Sequence, residues 1–313
     1  MNSGFRDDMQ IVSELSSVKP KCGTLLTIGV FDGVHLGHKH LIGRLTQQAA
    51  TDNLLSGVVT FSCHPKAVLS PRTRLVRLTT LEERITLLRD IGADFVVPLT
   101  FGTELAALSA REFVILLQRH LHMQGLVIGP DFALGRGREG DVAWLQALGQ
   151  ELGFTVGVVE PIVLEGSLVS STSIRKALTR GDMNMTSKLL GRHFRLSGQV
   201  MGGTERGHVL GFPTANIGVD SEQALPGDGV YATLGYLGDK VYRSVTNIGT
   251  RPTFGEGERT VEVFLIDFDG DIYSQNLTVE LIERLRGETK FADAKELSAQ
   301  IARDVEQARA ILR

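Results

Sequence analysis

His35 and His38 stand three residues apart in Thr27-Ile28-Gly29-Val30-Phe31-Asp32-Gly33-Val34-His35-Leu36-Gly37-His38. Two imidazoles at that spacing can donate hydrogen bonds to phosphate oxygens as charge builds on them. The apolar run from Leu25 to Phe31 predicts a buried strand, broken by Asp32-Gly33. A helical pattern begins near Leu36 and carries Leu41, Ile42 and Leu45 on one face. At such a strand-to-helix junction the backbone N–H groups and the helix dipole favour an anion. Gly37 lets a phosphate approach the backbone closely. A metal pair or two surface histidines are the plainer alternatives. No carboxylate or cysteine sits at ligand spacing beside them, which argues against metal.

Three further stretches offer chemistry. In Val169-Ser170-Ser171-Thr172-Ser173-Ile174-Arg175, Ser171 or Thr172 could simply cap a helix. The functional reading makes them hydroxyl donors and aims Arg175 at a triphosphate, opposite the histidines. Gly129-Pro130-Asp131-Phe132 puts an acid and an aromatic at a strand exit; taken alone it reads better as a turn with Phe132 in the core. Between Gly198 and Asn216, five glycines free the backbone to turn its amides toward an anion. No Gly-x-x-x-x-Gly-Lys-Ser/Thr string is present, so this is not a P-loop. Thr214 and Asn216, two apart on a strand, share a face and offer oxygen ligands suited to Mg²⁺.

These residues need two kinds of scaffold. Strand-like and helical segments alternate through the first half: strands at 57–61, 95–99, 125–129 and 156–163, helices at 81–91, 111–121, 142–152 and 172–178. That alternation predicts a parallel sheet with helices on both faces, whose ligands bind beyond the strands' carboxyl ends. Gly135-Arg136-Gly137-Arg138-Glu139-Gly140 mimics a dinucleotide fingerprint, yet the strand ends near Ile128, too early for it; a flexible basic loop is the better reading. From Phe194 onward short strands at 195–201, 230–236, 240–247, 260–266 and 276–281 alternate with Gly-rich turns, arguing for a closed barrel. A terminal helix over 294–311 carries Leu297, Ile301, Val305 and Ala308 on one face. The boundary falls at 187/188.

At 313 residues the chain can hold two cores. Its net charge of −3, with no basic block, weighs against a nucleic-acid role. Cys22 and Cys63 sit in no paired motif, so neither a zinc site nor a structural disulfide is expected. No signal core or bilayer-length apolar run is present, giving the expectation of a cytoplasmic protein without a membrane partner.

The string Gly-x-Phe-Asp-Gly-Val-His-x-Gly-His resembles the signature of the adenylyltransferase half of prokaryotic bifunctional riboflavin kinase/FAD synthetases. Gly129-x-Asp131-Phe132 and Ser171-Thr172-x-Ile174-Arg175 match further motifs of that family. Gly211-Phe212-Pro213-Thr214-Ala215-Asn216 closely resembles the riboflavin kinase signature. The match continues through Gly229-Val230-Tyr231, the run from Asn247 to Gly255, Val261-Glu262-Val263, Leu285-Arg286 and Phe291. The resemblance implies an α/β fold: an N-terminal Rossmann-like nucleotidyltransferase domain with a parallel sheet, and a C-terminal Greek-key β-barrel kinase domain ending in a helix. It implies two reactions, riboflavin with ATP to FMN, then FMN with ATP to FAD, with Mg²⁺. ATP in the transferase would meet Gly29, Phe31, Asp32, His35, His38, Ser171, Thr172 and Arg175. The flavin pocket there would take in Gly129, Asp131, Phe132 and His64, although His64 reads equally well as a structural histidine. In the kinase, Gly198, Gly203, Arg206, Gly207, Gly211, Pro213 and Thr214 would cradle phosphate. Asn247, Arg251, Thr253, Arg286 and Phe291 would bind flavin, and Glu262 would be the general base. A weak homo-oligomer stays open. Phe264 stands where many members carry His, and Ser274 where Gly is usual. A cytidylyltransferase or pantetheine-phosphate adenylyltransferase lacks any need for the second domain. A non-catalytic nucleotide sensor would be expected to have lost His35, His38 or Glu262.

Overall fold

Thr24–Ile28 (β1) is buried at every position, as a strand covered on both faces must be. The computed structural model describes residues 10–65, 68, 76–202, 212–250 and 259–312. Contacts divide the chain into two units, 1–170 and 171–313.

In the first unit β1 is joined in parallel by Leu55–Phe61 (β2), Phe95–Leu99 (β3) and Met123–Ile128 (β4). Ala133–Leu134 (β5) and Gly140–Asp141 (β6) form a small ribbon, and Thr155–Val158 (β7) completes the sheet in the order β3-β2-β1-β4-β7. Gln10–Leu15 (α1), Leu36–Thr51 (α2), Leu81–Asp90 (α3), Thr103–Ala107 (α4), Ala110–Leu121 (α5) and Val142–Leu152 (α6) are its helices. Alternate strand residues feed two separate cores. Leu26, Ile28, Val59 and Leu126 join α1, α5 and α6, whereas Leu25, Val58 and Val127 join α2 and α3. The strand order reverses between β1 and β4, the place where open sheets of this kind bind ligands.

The strand expected over 156–163 stops at Val158. Glu160-Pro161 intervenes, and Val163–Leu164 (β8) pairs instead with Ser167–Leu168 (β9). Glu165 and Gly166, both with positive φ (48° and 74°), make the tight turn between them. The loop expected to be flexible at 135–140 is tied down: Arg136 N–H donates to Leu108 O, and Ala110 N–H to Glu139 Oε1. Gly135 and Gly140 both press on Ala110, where a Cβ would come within 2.5–2.6 Å.

The second unit opens with Ser171–Thr179 (α7) and Met183–Leu190 (α8), a helix the sequence did not announce. Phe194–Met201 (β10), Ala215–Gly218 (β11), Gly229–Leu237 (β12), Lys240–Thr250 (β13), Arg259–Leu265 (β14) and Asn276–Arg286 (β15) close an antiparallel barrel ordered β10-β11-β14-β13-β12-β15. β12, β13 and β14 follow one another as hairpins, and β15 returns beside β12, which is the Greek-key connection. Inside, Val261, Val263 and Leu265 alternate with outward residues of β14. Ala294–Ile311 (α9) packs Val305 and Ala308 on the outer face beside Val230, Ala232 and Val245. Among the described residues no helix is long and apolar enough to cross a membrane.

Candidate active sites

β1 ends at Ile28, and the backbone then bends through two unusual residues. Phe31 (φ 51°) and Val34 (φ 38°) both carry positive φ, and a β-branched residue there is strained. Asp32 holds the bend from beneath. Its buried carboxylate accepts from Leu78 N–H (2.9 Å) and Thr79 N–H (3.2 Å), so it shapes the loop. The bend delivers His35 to the N-cap of α2, where Nδ1 accepts from His38 N–H at 3.3 Å. An accepting Nδ1 leaves the proton on Nε2, which makes that nitrogen a donor.

The His38 ring stacks on His35 (3.6 Å between centroids, 18°), and the Phe31 edge meets it at 5.1 Å. Burial, then His35, then Arg84 push its pKa well below the ordinary imidazole value. His38 is therefore held in its neutral form beside His35 at a helix N-terminus. Gly37 sits tightly against its neighbours: a Cβ would lie 3.1 Å from His35 Cε1 and 3.4 Å from Val169 O, so the imidazole would have to give by a few tenths of an ångström.

The parallel sheet brings the exits of its neighbours to the same edge. His64 follows β2, and Gly129, Asp131 and Phe132 follow β4. Asp131 is exposed while Phe132 packs against the core, as the turn reading anticipates. Ser171, Thr172 and Arg175 lie in the first two turns of α7, in the second unit. The helix already includes Ser171, so Ser170 is the residue before it.

On the barrel, strand register builds a second cluster. Asn216 on β11 is paired with Glu262 on β14, and Glu262 with Asn247 on β13. The row continues through Val230 to Arg286. Directly opposed residues project to one face, so five strands set two amides, a carboxylate and a guanidinium in line. Thr214, just before β11, lines a cavity of about 460 Å³ with Pro213, Met201, Val263, Asp269 and Tyr273. Gly198 has a packing reason of its own: a Cβ there would meet Gly218 O at 2.2 Å, so the glycine allows β10 and β11 to close. Arg286 grips buried Asp304 of α9 with Nε and Nη2 (3.1 and 2.9 Å) and lies over the Phe291 ring at 5.6 Å. Gly203, Arg206, Gly207, Gly211, Arg251 and Thr253 lie outside the described residues.

Two residues escaped sequence reasoning. Arg84 is 1% exposed within α3, and Asp304 is 2% exposed within α9. Each charge sits on the apolar stripe of its helix, four residues from Leu88 or Ala308, and that placement was the available signal.

A family model described as FAD synthetase matches residues 17–173, and one described as Riboflavin kinase matches 190–312. The chain is 40% identical over 291 residues, 92% of each protein, to the "Bifunctional riboflavin kinase/FMN adenylyltransferase" of Escherichia coli (strain K12). It is 39% identical over 306 residues to the Pseudomonas fluorescens protein of the same name, covering 97% of this chain and 98% of that one. Among solved structures, one described as a macrolide-efflux protein from Streptococcus pneumoniae superposes with a TM-score of 0.87 at 30% identity, over 94% of this chain and 96% of the other.

Proposed function

The chain belongs to the bifunctional riboflavin kinase/FMN adenylyltransferase family, and on that premise we propose which residues carry each of its two reactions. Its C-terminal domain phosphorylates riboflavin with ATP, giving FMN and ADP. Its N-terminal domain transfers AMP from a second ATP to FMN, giving FAD and diphosphate. The division of labour is set at 187/188, within the stretch 174–189 that neither family model covers.

In AMP transfer the FMN phosphate attacks the α-phosphorus while charge builds on the departing diphosphate. The Nε2–H of His35, the His38 ring and the open N–H groups of α2 donate to those oxygens. Ser171 and Thr172 fall within the FAD synthetase match, and with Arg175 they are the residues the family resemblance assigns to the ATP phosphates. His64, Gly129, Asp131 and Phe132 border the flavin side.

In phosphorylation Glu262 takes the proton of the ribityl hydroxyl. The observation that carries this role is its register: Asn216 and Asn247 flank it on adjacent strands. Thr214 and Asn216 are hard oxygen donors and fit Mg²⁺, which when bound would neutralise the ATP phosphates, leaving the Glu262 carboxylate as base. Asn247, Arg286 and Phe291 orient the flavin, and the Thr214 cavity takes the nucleotide. The partners are thus small molecules, and the reading places the enzyme in the cytoplasm.

Incubation of His38→Ala with riboflavin, ATP and Mg²⁺, followed by chromatography, tests the transferase assignment. FMN should accumulate at the wild-type rate while FAD formation drops roughly 100-fold or more. Undiminished FAD would remove His38 from the site.

A further inference from the structure

The buried guanidinium of Arg84 lies under the transferase junction and is not one of the groups assigned to either reaction. Its Nη1 donates to Val30 O at 2.9 Å and to Phe61 O at 2.8 Å, with Thr60 Oγ1 at 3.5 Å. Thr60 Oγ1 itself donates to Val30 O at 3.1 Å. Val30 is the residue before the strained Phe31, and Phe61 is the last residue of β2. One nitrogen thus fastens together the two strand ends from which His35, His38 and His64 depart. Its Nε has no hydrogen-bond partner among the described residues. A neutral amide could hold two carbonyls with less desolvation cost, so a full positive charge in this place asks for a further reason.

We propose that Arg84 is a positioning residue for adenylyl transfer, a buried cation that locks the carboxyl ends of β1 and β2 and so holds His38 stacked on His35. The proposal rests on the reading of this site as the AMP-transfer centre. The bend is fastened twice to one segment: Asp32 binds Leu78 and Thr79, which precede α3, and Arg84 reaches back from α3 itself. The groups that bear on the electrostatics are His35 at the same junction, Arg84 from α3, and Asp32 and Arg77, which act on Arg84 with opposite sign. A cation facing His38 opposes its protonation, so removing that cation raises the imidazole pKa.

The test compares Arg84→Gln and Arg84→Lys with wild type in three readouts: FAD synthesis from FMN and ATP, riboflavin phosphorylation, and the His38 titration followed by NMR. In Arg84→Gln, kcat for FAD synthesis should fall ten- to a hundredfold with KM for ATP changed less than about threefold, since sub-ångström misplacement is expressed in the reacting geometry. Phosphorylation should be unchanged, and His38 should titrate at higher pH than in wild type. Arg84→Lys, which restores the charge but not the fork, should recover the His38 titration and only part of kcat. Should Arg84→Gln fail to fold, the Arg84→Lys pattern alone decides. Loss of FAD synthesis in Arg84→Gln with an unmoved His38 titration would reduce Arg84 to a structural anchor and overturn the proposal, as would kcat within twofold of wild type. If wild type itself makes no FAD from FMN, the assignment of the site fails instead.

Discussion

A methyl group at position 37 would press on the His35 ring at 3.1–3.2 Å and on Val169 O at 3.4 Å. The ring must then tilt away from its stacked partner, and its Nε2–H leaves the line of the leaving phosphate. Gly37→Ala should therefore lower kcat for FAD synthesis roughly tenfold while riboflavin phosphorylation, measured on the same sample, stays unchanged. Ser274 poses the opposite case. It holds φ 63°, a conformation that costs a non-glycine residue about 1 kcal/mol or more. The glycine usual at this place in the resembled family has a backbone reason, and Ser274→Gly should stabilise the barrel by roughly 0.5–1 kcal/mol in denaturant unfolding. Phe264, the other departure, needs no compensation. It meets Phe212 at 5.4 Å and extends the apolar seat of α9.

Among the described residues two ion pairs tie the terminal helix to the barrel at the element scale, Arg286–Asp304 and the more exposed Arg309–Asp267, and the first is set in an apolar contact. Arg286 of β15 remains 21% exposed and Asp304 of α9 only 3%. Asp304→Ala strands the guanidinium, and the barrel should lose roughly 2–3 kcal/mol, less than a fully buried pair would cost. Chemical denaturation followed by α9 helicity measures this, and an unchanged midpoint would show that the apolar seat and the Arg309–Asp267 pair secure the helix without Asp304. Elements were legible where their period was unbroken: 95–99 and 142–152 fold over the expected residues because a β-rich run and a capped amphipathic stretch each state one answer. α1, at six residues, was too short to show a period, although Ile11, Val12 and Leu15 are buried. α8 was hidden because the Gly181 turn before it resembles a domain end, when it serves to start a helix capped by Asp182. The site divides in the same way. His35, His38 and Glu262 could be named from local strings. The structural work of Asp32 and Gly198, and the existence of the Arg84 lock, depend on carbonyls and strands brought near only by folding.

At the scale of the whole molecule, two units with separate cores carry two unlike clusters. One is a pair of stacked imidazoles over a parallel sheet, and the other a carboxylate between two amides on a barrel. Each cluster is assigned a phosphoryl-group chemistry of its own, independent of the other. Glu262→Gln, supplied in parallel with riboflavin and with FMN in the presence of ATP and Mg²⁺, tests it most directly. No FMN should form from riboflavin, while FAD should form from FMN at the wild-type rate. Loss of both products, or of neither, would contradict this assignment.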